Sequence, residues 1–251
     1  IGKLGAGNDP EKGRKAAEEN KDVIRAVFDE NTRMVFITAG MGGGTGTGAS
    51  PVIAKIAKDI VLPEEEEHLL VVGVVTLPFG FEGRKRKKQA EEGIKKLKEL
   101  VDCIIIVNTD KLMDCRTMPF SSAFALADDV LFTAVKGISE IITNAGYIQV
   151  DFRDIQSVMK NSGVALMGMG VAEGDNRALE AVKSATTCEL LNDNDISKTK
   201  NILLTFSCSH EYEISMEEVA MVTEYLQDKT SEDVDVIWGI SYDDNLGQSL
   251  S

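Results

Sequence analysis

Short apolar runs and helical stripes alternate along this chain. Residues 34–38, 69–75 and 103–107 are nearly unbroken runs of aliphatic residues, the mark of strands buried on both faces. The segments between them carry helical spacing. Asp9-Pro10-Glu11 supplies an N-cap, a first-turn proline and an early acid, and apolar spacing from 15 to 28 continues that helix. Residues 86–100 set Ala90, Ile94 and Leu97, with Val101 just beyond, on one face. Strands alternating with amphipathic helices predict a parallel sheet covered on both sides.

From 122 to 144, Phe124, Ala127, Leu131, Ala134, Val135, Ile138, Ile141 and Ile142 recur at intervals of three and four. This predicts a long helix, apolar enough to be buried between two layers. A second alternation follows: helix 151–161, strand 164–171, helix 176–187, strand 201–206, helix 216–226 and strand 234–241. The expected fold is α/β, with a parallel-sheet, Rossmann-like domain over 1–120, a connecting helix over 121–146 and a second, smaller α/β domain over 147–251.

The first strand runs into Gly42-Gly43-Gly44-Thr45-Gly46-Thr47-Gly48, a stretch without one large side chain, and then into Ala49-Ser50-Pro51, which reads as a helix start. Strand, glycine loop and helix N-terminus together gather backbone N–H groups and the positive end of a helix dipole around an anion, above all a phosphate. A P-loop would need a lysine and then Ser or Thr after the last glycine, and Ala49 stands there. A dinucleotide fingerprint is nearly met by Gly44-x-Gly46-x-x-Ala49, but the next strand ends in Thr76-Leu77-Pro78 with no acid to hold a ribose. A flexible loop without a ligand is the third reading. Leu4-Gly5-Ala6-Gly7, entering the helix at Asp9, is a second loop of the same kind.

Composition narrows the partners. With 41 acids against 27 bases the formal charge is −14, which disfavours nucleic acid and anionic membrane over most of the surface. The bases Arg84 to Lys88 read as a solvated helix start, and four glutamates, 64–67, read as a solvated loop. Cys103, Cys115, Cys188 and Cys208 show no metal-ligand spacing, so reduced packing cysteines in the cytosol are expected. No apolar stretch approaches the roughly 20 residues of a membrane span, and no signal peptide is visible.

Gly40-Met41-Gly42-Gly43-Gly44-Thr45-Gly46-Thr47-Gly48 resembles the signature of the tubulin/FtsZ GTPase family. The resemblance extends through Gly5-Ala6-Gly7, Pro78 to Arg86, the helix around Phe124 and Asp128, Val150-Asp151-Phe152-x-Asp154 and Ala165-Leu166-Met167-Gly168. It implies a GTPase domain that binds GTP or GDP with Mg²⁺, and a protein that polymerises head to tail in the bacterial division ring, in the cytoplasm at mid-cell. The glycines Gly42, Gly43, Gly44 and Gly46 with Thr45, and the loop of Gly5, Ala6 and Gly7, would face the phosphates. Glu82 can accept from ribose hydroxyls and Arg86 can pair with phosphate oxygens. Thr109 stands where asparagine is usual, and Gln149 likewise. Phe124 would stack on the base, while Asp128 would accept from the ring N–H and exocyclic amine of guanine. Asp151 and Asp154 alone read as an N-cap and a first-turn acid; the resemblance makes them catalytic, acting on the neighbouring subunit's nucleotide. No dedicated metal cage is expected. It implies further that the chain is a fragment, with the family's first strand and first glycine loop upstream of Ile1 and another strand and a partner-binding tail downstream. Two rivals remain: a non-hydrolysing relative, and a nucleotide-cofactor oxidoreductase.

Overall fold

The computed structural model describes residues 5–62, 68–111, 119–143, 146–187, 196–231 and 233–251. The chain forms two compact units, Ile1–Val135 with Met159–Ala165, and Lys136–Val158 with Leu166–Ser251.

In the first unit, β1 (Met34–Gly40), β2 (Leu70–Thr76), β3 (Cys103–Val107) and β4 (Gly163–Ala165) form one sheet in that order, and each neighbouring pair is parallel. The apolar runs therefore became strands for the expected reason. Val71, Val72, Val74 and Val75 of β2 are fully buried, as a strand covered on both faces requires. Helices α1 (Pro10–Glu19) and α2 (Lys21–Arg25) precede β1, α3 (Thr45–Lys58) joins β1 to β2 and α4 (Arg84–Lys98) joins β2 to β3, and Ala54, Ala57, Ile94 and Leu97 complete the core. The long helix α5 spans Phe120–Thr143, and the division between units falls within it, after Val135. Residues 144–145 at its expected end lie outside the described residues.

One carboxylate ties this unit together. Asp102, 1% exposed, accepts from Lys58 Nζ at 2.5 Å and from the Val71 N–H at 3.0 Å. Its own N–H donates to Val71 O, and its carbonyl accepts from Gly163 N. A buried charge is tolerated because its lone pairs are used.

The second unit holds α6 (Phe152–Met159, whose last residue groups with the first unit), α7 (Arg177–Thr187), α8 (Met216–Lys229) and the parallel pair β5 (Asn201–Cys208) and β6 (Asp235–Tyr242). Ala178, Val182, Phe206, Val222, Leu226 and Leu250 form its core. Arg177 closes it: Nε donates to Glu218 Oε1 at 2.7 Å, and the two terminal nitrogens reach the carbonyls of Tyr212, Glu213 and Gln248 at 3.0–3.1 Å. Burial pushes the Glu218 carboxyl up, but hydrogen bonds from Arg177 and Ser215 outweigh it and leave the carboxyl below its ordinary value.

Three expectations change. The helix expected through 15–28 breaks at Asn20, whose side-chain amide donates to Ala16 O, and Val23 and Val27 end up on the surface. The strand expected at 164–171 is only Gly163–Ala165, because Gly168 and Gly170 lie against the backbone of α7, where a Cβ would come within 2.0 Å of Ala185 O and Ala181 O. The helix expected from Ala49 begins at Thr45, so Pro51 lies inside α3. The reason is close backbone packing, described below. Of the cysteines, Cys103 and Cys208 are buried and free, while Cys115 and Cys188 lie outside the described residues. The glutamates 64–67 do too, although Val61 and His68 on either side pair as an antiparallel bridge.

Asp102→Ala leaves Lys58 and the Val71 N–H without their partner and is expected to cost about 3–5 kcal/mol by urea unfolding. The Arg177–Glu218 pair should show a pH signature. Glu218 holds a lowered carboxyl in the folded chain, so its contribution is complete above the ordinary value of 4.5 and is lost as the pH falls through the folded value. The stability gap between the parent chain and Glu218→Gln should therefore shrink on acidification below pH 4.5, and stay flat above it.

Candidate functional site

The parallel sheet puts the carboxyl ends of β1, β2 and β3 on one edge of the first unit, and hydrogen bonds bind the loops there to each other. Met41 N donates to Thr76 O and Leu77 N to Val107 O, both at 2.9 Å. Thr109 Oγ1 donates to Leu77 O at 2.9 Å, and Gly80 N donates to the Asp110 carboxylate at 2.7 Å. Thr109 is 2% exposed with its hydroxyl turned inward. Expected as a ligand contact, it instead supports the loop after β2, since a buried hydroxyl needs an internal acceptor. Asp110 was given no role by sequence reasoning, and an acid directly after a strand end was the available signal.

The glycine run forms a cradle. Gly42, at φ 99°, turns the chain after β1 in a region that favours glycine, and its N–H donates to Thr47 Oγ1 at 2.8 Å. Helix α3 starts at Thr45 with Gly44 as its N-cap. A Cβ on Gly46 would lie 2.3 Å from Gly40 O, and one on Gly48 would lie 2.0 Å from Pro10 O. These glycines belong to the helix because its first turns press against the end of β1 and the start of α1. Gly44 is equally confined: its Cβ would meet Ala6 Cβ at 2.7 Å and Asp9 N at 2.8 Å. The loop of Gly5, Ala6 and Gly7, with Gly5 and Gly7 at positive φ, thus lies directly on the cradle.

Gly43 differs. A Cβ there would meet nothing within 4 Å. The N–H groups of Gly43, Gly44, Thr45 and Gly46 make no hydrogen bond to any described residue. Four unspent donors at a helix N-terminus, with open space beside Gly43, suit a phosphate chain.

The remaining candidates of this unit lie on the loop after β2, at the start of α4 and on α5. Glu82 Oε1 accepts from Phe79 N at 2.9 Å, and Oε2 pairs with Arg86 one turn further on. The Arg86 carbonyl lies beside Gly42, where an added Cβ would approach within 2.9 Å, so the ion pair stands next to the cradle. Phe124 packs edge-on against Phe79, with centroids 5.1 Å apart, and Phe79 stacks on Phe81. Phe124 stays 39% exposed, and Asp128, one turn along α5, is exposed too. Gln89 of α4 donates to Asn8 O at 3.4 Å, a contact with the first loop that the sequence did not signal. Among the described residues no group of three or more His, Cys, Asp or Glu can hold a metal ion. No helix of the described residues is long and apolar enough to cross a membrane.

Asp151 and Asp154 open α6 in the second unit. Asp151 accepts from Arg153 N at 2.9 Å, and the Asp154 carboxylate accepts from the Asp151 N–H at 3.3 Å. The Asp151 side chain thus caps the second residue of the helix, and Asp154 reaches back to the Asp151 N–H as the return half of a capping box does. Both carboxylates are exposed, so capping holds them on a defined scaffold with lone pairs open to solvent.

Comparison with known proteins places this geometry. The tubulin/FtsZ family GTPase-domain profile matches residues 1–117, and the FtsZ family C-terminal-domain profile matches 163–251. Cell division protein FtsZ 1 of Thermococcus kodakarensis is 44% identical over 248 residues, covering 98% of this chain and 63% of that protein. Cell division protein FtsZ of Methanothermobacter thermautotrophicus is 42% identical over 98% of this chain and 62% of its own length. This chain therefore spans less than two thirds of those relatives. An empty FtsZ dimer from M. jannaschii superposes with a TM-score of 0.87 and 39% identity, covering 98% of this chain and 69% of that one.

Two glycine substitutions separate folding from binding at the cradle. Gly48→Ala would normally stabilise a helix by about 1 kcal/mol. Here it should destabilise by roughly 2–3 kcal/mol, since backbone must move to admit the methyl group. Gly43→Ala should unfold within about 0.5 kcal/mol of the parent, because its Cβ meets open space. If the cradle holds a phosphate chain, any thermal shift that a nucleoside triphosphate gives the parent should be lost in Gly43→Ala.

Proposed function

This chain belongs to the tubulin/FtsZ family, and we propose that it binds a guanine nucleotide on the carboxyl edge of its first sheet, hydrolyses it and assembles head to tail. The observation that carries this reading is the cradle, in which the N–H groups of Gly43, Gly44, Thr45 and Gly46 at the start of α3 make no hydrogen bond to any described residue and open space lies beside Gly43. On this reading residues 1–120 are the nucleotide-binding domain, 121–146 the connecting helix and 147–251 the domain that bears the acids.

Each group then has a task. The amides of Gly43, Gly44, Thr45 and Gly46, with Gly5, Ala6 and Gly7, hold phosphate oxygens and stay fixed as charge shifts toward them during phosphoryl transfer. Glu82 turns from Arg86 to a ribose hydroxyl, freeing the guanidinium for the phosphates. Phe124 offers its exposed ring to the base, and Asp128 accepts two donors that guanine has and adenine lacks. Mg²⁺, carried on the phosphates, would neutralise part of their charge.

Asp151 and Asp154 complete the site from the neighbouring copy. Phosphoryl transfer to water asks for an oriented nucleophile and little covalent chemistry, so two exposed carboxylates held by backbone hydrogen bonds at the start of α6 are suited to fix that water. Because the acids and the cradle belong to different copies, turnover depends on stacking, and a head-to-tail contact that does not close gives a filament. The division site is where such a filament would act, with further division proteins as partners.

Steady-state phosphate release with GTP and Mg²⁺ tests the reading. Asp154→Ala should lower kcat by about 10²–10⁴-fold while GTP affinity holds within about twofold. Phosphate release by the parent chain no faster than by Asp154→Ala would remove hydrolysis from the proposal.

A further inference from the structure

Charge is divided unevenly between the two units. Of the 41 acids and 27 bases, twenty acids and seven bases lie in the second unit, leaving twenty-one acids and twenty bases in the first. The second unit therefore carries nearly all of the chain's net charge of −14. The first is almost neutral overall but not locally.

The start of α4 is where its positive charge concentrates. Arg84, Lys85, Arg86, Lys87 and Lys88 follow one another there, all exposed. The helix has no acid in its first turn, and Gly83 supplies no side-chain cap. Bases at a helix N-terminus oppose the helix dipole, and like charges this close repel. Arg86 has Glu82 and Lys88 has Glu92, at 4.0 Å. Arg84, Lys85 and Lys87 form no ion pair among the described residues. Where a local rule is broken without compensation inside the fold, the gain lies outside it. A single substrate would need Arg86 and leave three bases over.

The second unit offers a matching surface on α8. Glu217, Glu224 and Asp228 are exposed and recur at helical spacing, and none forms an ion pair among the described residues. Glu218, which Arg177 engages, points elsewhere. Opposite charge, with neither Arg84, Lys85 and Lys87 nor Glu217, Glu224 and Asp228 in an ion pair among the described residues, fits a second copy of the same molecule.

We propose that the basic start of α4 in one copy docks on the acidic face of α8 in the next. The contact rests on the head-to-tail assembly described above and adds to it a source of rate and orientation. Exposed charges separated by water steer encounter and add little to the final affinity, and salt screens them over about 8 Å at physiological ionic strength. The three unpaired bases thus act on how fast copies meet in the productive orientation.

The test is self-association of the intact chain, followed by sedimentation and light scattering at about 50 and 300 mM salt, with and without GTP and Mg²⁺. Lys85→Glu with Lys87→Glu should slow association about tenfold at low salt and flatten its salt dependence, the usual scale of electrostatic steering. Adding Glu217→Lys and Glu224→Lys to that variant should restore the rate, since the surfaces are then exchanged in sign. Unchanged thermal midpoints and nucleotide affinity identify these as surface effects. The proposal is overturned if the Lys85 and Lys87 reversal associates like the parent, if the fourfold exchange fails to restore the rate, or if the parent shows no salt-dependent association. Association without GTP hydrolysis would count against the proposed enzymatic function and leave this contact standing.

Discussion

Backbone pressed on backbone is the constraint from which the site follows. The first turns of α3 lie against Gly40 at the end of β1 and against Pro10 at the start of α1, at distances that admit no side chain at 46 or 48. Glycine in a helix costs about 1 kcal/mol relative to alanine, and an interior proline such as Pro51 costs more. Those costs are accepted because the approach brings a helix N-terminus directly onto the strand end. Without it, the amides of 43–46 would lie a turn away from the loops after β2 and β3, and the edge would be a set of separate turns.

Much of the fold was legible because the signals were periodic. Apolar runs gave β1, β2 and β3, and the three-and-four spacing of Phe124 to Ile142 gave α5, both consequences of which faces are buried. The errors share a cause. At Ala49-Ser50-Pro51 and at 164–171 the local sequence favoured one element, and glycines required by packing with a distant segment decided for another. A close approach between residues far apart in sequence leaves a glycine as its trace, and a glycine looks the same whether it serves a turn, a strand end or a helix contact.

The candidate site was legible in composition and not in arrangement. The motif picked out the glycines, Glu82, Arg86, Phe124 and Asp128, and the fold brings Glu82 and Arg86 together and sets Phe124 against Phe79 of the loop after β2. What the sequence lacked was the wiring between loops: the Gly80 N–H on Asp110, the inward hydroxyl of Thr109 and the Glu82–Arg86 pair at rest. The first two depend on two strand ends lying side by side, which the parallel register decides, and the third on where α4 begins. Asp151 and Asp154 show the complementary case, where geometry and local pattern agree on a cap and the chemistry proposed for them lies with another molecule.

The antiparallel bridge between Val61 and His68 carries a consequence for how such a chain can change over generations. It ties the two flanks of the glutamate segment before β2 begins, so the register of Leu70 against Met34 is set independently of the residues between. Loop closure grows only slowly with length, by about 0.6 kcal/mol per doubling. Insertions and deletions between 62 and 68 are therefore nearly neutral, while a single added residue on the other side of His68 would shift every inward-facing side chain of β2. Variation in length is confined to a place where the sheet cannot feel it.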